Sequence, residues 1–237
     1  MNPTEPQPTQ RRVLALYENG GHHVEFTNRA VPWLNDLARA TGFVLDCRNH
    51  TRSIDAELLE QCGLFLQLDY PPYGWADAAA SAFEEYISAG KGGWIGLHHA
   101  SLLGEFDGFP MWHWFSEFLG GIRYQNYIAT FAQGVVRVED AEHPVMQGVP
   151  ASFLVEQEEW YTYNRSPRSS VHVLATVDES TYQPDTPIRM GDHPVVWTNP
   201  HMASRNLYIF MGHSPRLFDN EAYVALLRNA ILWGMGG

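Results

Sequence analysis

Cationic side chains are scarce in this chain: 15 Lys and Arg stand against 27 Asp and Glu, a formal net charge of -12. Nucleic-acid binding rests on cation–phosphate attraction, so that balance argues against nucleic acid and equally against an anionic membrane surface. Cysteine is nearly absent. Cys47 and Cys62 are too few for a disulfide framework and lack metal-type spacing, so reduced thiols and a cytoplasmic setting are expected. No apolar run reaches the ~18 residues a membrane span needs. Residues 1–10 hold three prolines and no signal-type apolar stretch, and a frayed tail that gains order near Arg11 is expected. Neither a P-loop nor a G-x-G-x-x-G follows the first strand, which argues against nucleotide binding, and the lack of G-x-S-x-G removes ordinary serine hydrolase chemistry.

What is present is enough for one core, since hydrophobic residues make up 45% of 237. A single domain over residues 11–237 is expected, with no internal repeat or linker. Arg12–Tyr17 reads as a central parallel strand. Helical spacing of Phe26, Ala30, Trp33, Leu34 and Leu37 follows, with Gly42 as its stop. Pro32 fits that helix only if the helix begins there, or one turn earlier with a kink. Strands are expected at Phe43–Cys47 and Gly63–Leu68, with a short helix at Ile54–Gln61 between them. Another helix carries the stripe Ala79, Phe83, Tyr86 and Ile87 to Gly90. This alternation implies a parallel sheet with helices on both faces.

The chain is organised around Gly92-Gly-Trp-Ile-Gly-Leu-His-His-Ala-Ser101. Here a buried strand feeds an abrupt turn, the layout of a nucleophile elbow, and the residue delivered is His98. Beyond it come a short aromatic helix at Met111–Leu119 and strands at Tyr127–Phe131, Gly134–Glu139, Ser152–Glu156, Val171–Val177, Pro194–Thr198 and Leu207–Met211. Two long irregular stretches, Glu158–Ser170 and Asp178–Asp192, are read as loops. The last helix, Glu221–Trp233, starts behind an Asp219-Asn220 cap.

Eleven histidines are many for this length, and several fall at strand ends. His22 and His23 follow the first strand, His98 and His99 the fourth, and His213 the late strand. At the carboxyl edge of a parallel sheet, residues distant in sequence converge. Two chemistries suit such a cluster. Neutral imidazoles bind transition metals, with His23, His98 and His213 as candidate ligands for a divalent ion such as zinc. They also serve as general acids and bases near neutral pH. His50, His113, His143, His172, His193 and His201 read as packing or surface positions. Glu159 is the candidate carboxylate to orient an imidazole or bond a sugar hydroxyl, ahead of Glu18 and Glu25, while Glu158 shares its acidic loop. His99, Trp112, Trp160 and Tyr161 are candidate substrate contacts, and Trp75 and Trp114 are further aromatics able to stack on a sugar ring.

The motifs together resemble the ThuA-like (trehalose utilisation) family. The residues that carry the resemblance are His22-His23, Gly92 through His99, Leu119-Gly-Gly121, His143-Pro-Val-Met-Gln-Gly-Val-Pro150, Glu158-Glu-Trp-Tyr161, Pro194-Val-Val-Trp197, Gly212-His213 and Ala230-Ile-Leu-Trp233. The resemblance implies an α/β, flavodoxin-like three-layer fold with a mainly parallel central sheet, similar to class I glutamine amidotransferases. It implies a role in sugar or disaccharide catabolism, with His98, His213 and His23 matching the family's motif histidines. Departures are His22 where the family tends to have Arg, His99 where it has a small residue, and Arg123-Tyr-Gln-Asn126 where a His often follows the Gly-Gly pair. Imidazole cannot replace the elbow thiolate of a true amidotransferase, so glutaminase activity is not expected. The expectation is a sugar-acting enzyme. The alternatives are a non-catalytic sugar-binding or regulatory module, or a zinc-binding protein with structural histidines. Isomerisation, hydrolysis and redox support of keto-sugar formation are the reactions that fit, with a small-molecule sugar as substrate and a homo-oligomer as one assembly state.

Overall fold

A computed structural model describes residues 11–18, 20–128 and 131–236. The elements run β1 (Arg12–Tyr17), α1 (Val24–Thr41), β2 (Val44–Arg48), α2 (Ala56–Glu60), β3 (Cys62–Leu68), α3 (Asp77–Ser88), β4 (Gly93–Leu97), α4 (His113–Phe118), β5 (Tyr124–Tyr127) and β6 (Ala132–Val138). They continue with β7 (Ser152–Glu158), β8 (Tyr161–Tyr163), β9 (His172–Gln183), β10 (Pro194–Thr198), β11 (Asn206–Ile209) and α5 (Glu221–Gly234). The predicted tail, residues 1–10, lies outside the described residues.

One nine-stranded sheet has the order β2-β1-β3-β4-β11-β10-β9-β6-β7. Its first five strands pair in parallel, in the 2-1-3-4-5 order of flavodoxin-like sheets. The other four extend it in antiparallel fashion. Burial follows from this division. Strands with helices over both faces need apolar residues throughout, and β4 and β11 are buried along their whole length. The outlying strand β7 instead alternates buried and exposed positions over Ser152–Glu156. Successive side chains on a strand point to opposite faces. Trp94 therefore meets Phe115 and Phe118 of α4, while neighbouring Ile95 meets the α5 backbone at Gly234. Phe65 of β3 packs against Phe83 of α3 on the Trp94 face, whereas Leu64 meets α5.

Four local expectations are corrected. Helix α1 does not begin at Pro32 but runs through it from Val24. Pro32 lies on the exposed side, so the hydrogen bond it cannot donate is lost where solvent can serve Asn28 instead. The stop at Gly42 is as expected, with φ 82° and its N–H donating to the Ala38 carbonyl. Strand β9 extends twelve residues to Gln183, because residues 178–183 pair with β6 rather than forming a loop. The stretch Glu158–Ser170 contains β8, whose partner β5 ends at Tyr127 where a strand was expected to start.

Helix α5 rests directly on β4, and Gly93 permits it: a Cβ there would lie 2.1 Å from the Gly234 carbonyl oxygen. Gly93→Ala is expected to lower unfolding free energy by about 1–3 kcal/mol, the usual cost of forced overpacking. Urea unfolding measures it, and an unchanged midpoint would contradict this packing.

Candidate functional site

Four parallel strands deliver chemistry at their carboxyl ends. The exit of β1 carries Glu18, His22 and His23, and that of β3 carries Asp69. The exit of β4 carries His98 and His99, and that of β11 carries Gly212 and His213. The expectation of one shared edge is met by the geometry. Ring centroids of His23 and His98 are 5.2 Å apart, His23 and His213 4.5 Å, and His98 and His213 5.2 Å. His99 joins them, 4.3 Å from His23.

The elbow is visible in the backbone. His98 has φ 38°, a left-handed conformation that costs a non-glycine residue energy and turns its side chain inward. Two hydroxyls pin its carbonyl, Tyr208 at 2.8 Å and Ser101 at 3.0 Å. Across from it, Gly212 lets β11 approach. A Cβ there would lie 2.7 Å from the His98 Cβ and 2.8 Å from an Asp69 oxygen.

Hydrogen bonds orient the rings. His98 Nδ1–H donates to the Phe210 carbonyl at 3.2 Å, leaving Nε2 3.3 Å from His213 Nδ1. His23 Nδ1–H donates to Glu18 at 2.7 Å, and its Nε2 is buried without a partner. Burial disfavours charge on both: His23 is pushed down to about 4 and His98 well below the usual histidine range. Both are neutral at pH 7. Burial pulls His213 down too, but hydrogen bonding to Glu159 and the charge of Glu158 outweigh it and raise it. Burial alone would raise Glu18, yet hydrogen bonds from His23 and His99 hold it at about 2.

The antiparallel extension supplies the carboxylates. Glu159 lies 3.4 Å from His213 Nδ1 and 3.7 Å from His98 Nε2. Its carboxyl is held below the usual range by those two histidines, against the opposing effect of burial. Glu158 is fully buried and accepts the N–H groups of Glu159, Gly212 and His213 at 2.9, 3.0 and 3.3 Å. Burial still drives it up to about 7. Asp69 is wholly buried as well. With no side-chain partner and Glu158 and Glu18 nearby, it is raised well above the carboxylate range.

Above this floor opens a cleft of about 470 Å³, with His22, His99, Glu159 and His213 among its lining residues. Its aromatic walls are Phe106, Tyr124, Tyr127, Phe131 and Tyr161. Tyr161, expected as a substrate contact, is among them, its ring 4.5 Å from that of His98. Two tryptophans expected there are not. Trp160 is fully buried, stacked on Phe210 and Tyr182 and bonded to the Ala132 carbonyl, with no surface for a substrate. Trp112 packs with Trp75, Trp114 and Phe115 and donates to Glu84, knitting α4 to α3 away from the cleft. Glu25 is exposed on α1. Glu18, Glu158 and Asp69 were passed over or ranked low by sequence reasoning. Glu18 carried one usable signal, its place directly after a strand.

Comparison with known proteins gives the chain a family and supports the fold. The family model ThuA, described as trehalose utilisation, matches residues 12–234. The chain belongs to the ThuA family. A ThuA-like protein from Bacteroides uniformis is 30% identical, with a TM-score of 0.84 over 98% of this chain and 95% of that one. One from Parabacteroides merdae is 18% identical, with a TM-score of 0.69 over 95% and 90%. The glutaminase domain of a Trypanosoma brucei CTPS with bound acivicin is 10% identical, with a TM-score of 0.54 over 94% of each chain. That likeness supports the class I amidotransferase-like fold. No curated protein matches. Among the described residues, no helix is long and apolar enough to cross a membrane.

In this ThuA protein, Glu158 ties the β11 exit to β7. Glu158→Ala leaves buried amides unpaired at a cost of about 1–3 kcal/mol each, whereas Glu158→Gln keeps an acceptor and costs less. Urea unfolding of the two variants should rank them in that order; an Ala variant as stable as the parent would contradict the tie.

Proposed function

We propose that this ThuA protein is an enzyme of sugar catabolism that acts on a disaccharide of the trehalose type or a closely related sugar or polyol. The reading rests on one observation: His23, His98 and His213 cluster with Glu159, and His213 and Glu159 open that cluster onto an aromatic-walled cleft while His23 and His98 lie buried behind them. Sugar rings have apolar faces that stack on aromatic side chains, and hydroxyl edges that need donors and acceptors. The walls of Tyr124, Tyr127, Phe131 and Tyr161 suit the first, and the imidazoles and Glu159 suit the second. The cleft volume falls within the roughly 300–1,000 Å³ of small-molecule sites.

His98 is the central reactive residue, with His213 and His23 as its partners and Glu159 as the carboxylate beside the substrate. His99 and Tyr161 flank the substrate. Isomerisation and hydrolysis both draw on such a centre, through proton transfer or polarisation of a substrate oxygen. Glutaminase chemistry is set aside. The elbow holds an imidazole, and Cys62 begins β3, where burial pushes its thiol up to about 11. Cys47, on β2, is raised as well.

A panel of mono- and disaccharides, screened by thermal shift and then by product analysis, tests the reading. Asparagine tolerates the left-handed backbone of residue 98, so His98→Asn removes Nε2 without forcing the turn. Turnover is expected to fall at least about 100-fold, in line with loss of an acid–base group, with little change in melting temperature. Full turnover by His98→Asn, or no sugar bound by the parent, would overturn the proposal.

A further inference from the structure

Charge around the imidazoles is unbalanced. Among the described residues, the ion-pair partners of Glu18, Glu158 and Glu159 are all histidines, and no Lys or Arg reaches them. Asp69 is buried beneath the same group without a side-chain partner. Four carboxyl groups thus surround the imidazoles with no Lys or Arg among their partners. A compact positive charge is what the arrangement lacks.

The nitrogen atoms are set out to receive one. His98 Nδ1–H is committed to the Phe210 carbonyl and His23 Nδ1–H to Glu18, which leaves Nε2 as the lone-pair nitrogen of each ring. Such bonds to the far nitrogen fix the tautomer and orientation of metal-binding histidines. His23 Nε2 is buried and has no hydrogen-bond partner, in a residue only 2% exposed. One donor atom from each of His23, His98 and His213 falls within 4.8 Å of the others. Tetrahedral bonds of ~2.0–2.1 Å, the zinc–nitrogen length, place neighbouring donors about 3.3–3.4 Å apart. His98 Nε2 and His213 Nδ1 are 3.3 Å apart, and Glu159 Oε2 is 3.4 Å from the latter.

We propose that His23 Nε2, His98 Nε2 and His213 Nδ1, with Glu159, bind one divalent transition-metal cation of the zinc, cobalt or nickel type. Imidazole donors favour these ions over magnesium and calcium, which take oxygen ligands. Glu18 and the Phe210 carbonyl act as positioning groups for two of the ligands. His23 and His98 form the closed side of the centre, while His213 and Glu159 line the cleft. The cleft side is therefore where a substrate oxygen joins the cation, as the fifth ligand. Only this last statement rests on the sugar reading above.

The test uses the whole chain, stripped with a chelator and titrated with Co²⁺ alone, followed by visible absorption and calorimetry. One Co²⁺ per chain is expected, with the intense visible absorption of four- or five-coordinate cobalt, and displacement by Zn²⁺. His23→Asn and His98→Asn should each abolish it. Glu18→Gln should keep the fold by circular dichroism and weaken binding about 10–100-fold, the usual effect of losing a group that orients a ligand. His172→Ala, a surface histidine paired with Asp140, should change nothing. No Co²⁺ bound by the parent chain, or absorption that survives both Asn substitutions, overturns the metal site. A stripped chain that turns over sugar at the full rate overturns the contact between substrate and cation and leaves the sugar reading standing. Cobalt bound as expected with no sugar turned over supports the metal site and removes the sugar reading.

Discussion

A histidine held in left-handed backbone conformation at the exit of β4 is the constraint on which the rest depends. That geometry costs a non-glycine residue roughly 1–3 kcal/mol and persists only where surrounding contacts over-determine it. Here the contacts are specific. Tyr208 and Ser101 grip the His98 carbonyl, and Tyr163 bonds to both hydroxyls, so β11, β4 and β8 lock the same turn. With its backbone fixed, the His98 ring meets the Phe210 carbonyl on one side and His213 on the other. A slack turn would disperse the cluster.

The two halves of the sheet divide the work. Parallel strands bring imidazoles together, because consecutive crossovers return the chain to the same edge in the same direction. The antiparallel extension cannot add to that edge in the same way. It contributes laterally, through the end of β7 and the start of β8, where Glu158, Glu159 and Tyr161 reach over the parallel core. Glu158 joins the halves by accepting amides of the β11 exit from within the extension. Buried and cleft-facing positions thus fall to adjacent residues. Buried Glu158 holds backbone, and partly exposed Glu159 faces the cleft.

Much of this was legible in the sequence, and for stated reasons. Strands β1 and β4 announce themselves as short apolar runs, and Gly42 and Asn220 as a helix stop and a helix cap. The histidine convergence followed from placing His23, His98 and His213 at strand exits. Carboxylates were harder. Glu18 and Asp69 look in sequence like any solvated loop acid, since burial is a tertiary property that no local pattern encodes. The tryptophans failed for the converse reason. Composition cannot separate a ring that walls a cleft from one that fills a core, and Trp112 and Trp160 do the latter. The second half of β9 was missed because polar residues 178–181 lie beside the extension's outer strands, where burial alternates. Pro32 misled because its missing donor faces water rather than a neighbour.

The account's central claim is that two buried neutral imidazoles, pinned at Nδ1, turn their Nε2 atoms into one shared space. Long-range nitrogen–proton correlation NMR of the histidine rings in the intact chain at neutral pH tests it most directly. The account predicts that His23 and His98 both appear as neutral Nδ1–H tautomers. An Nε2–H tautomer at either residue, or a ring that gains charge freely between neutral and mildly acidic pH, would contradict it.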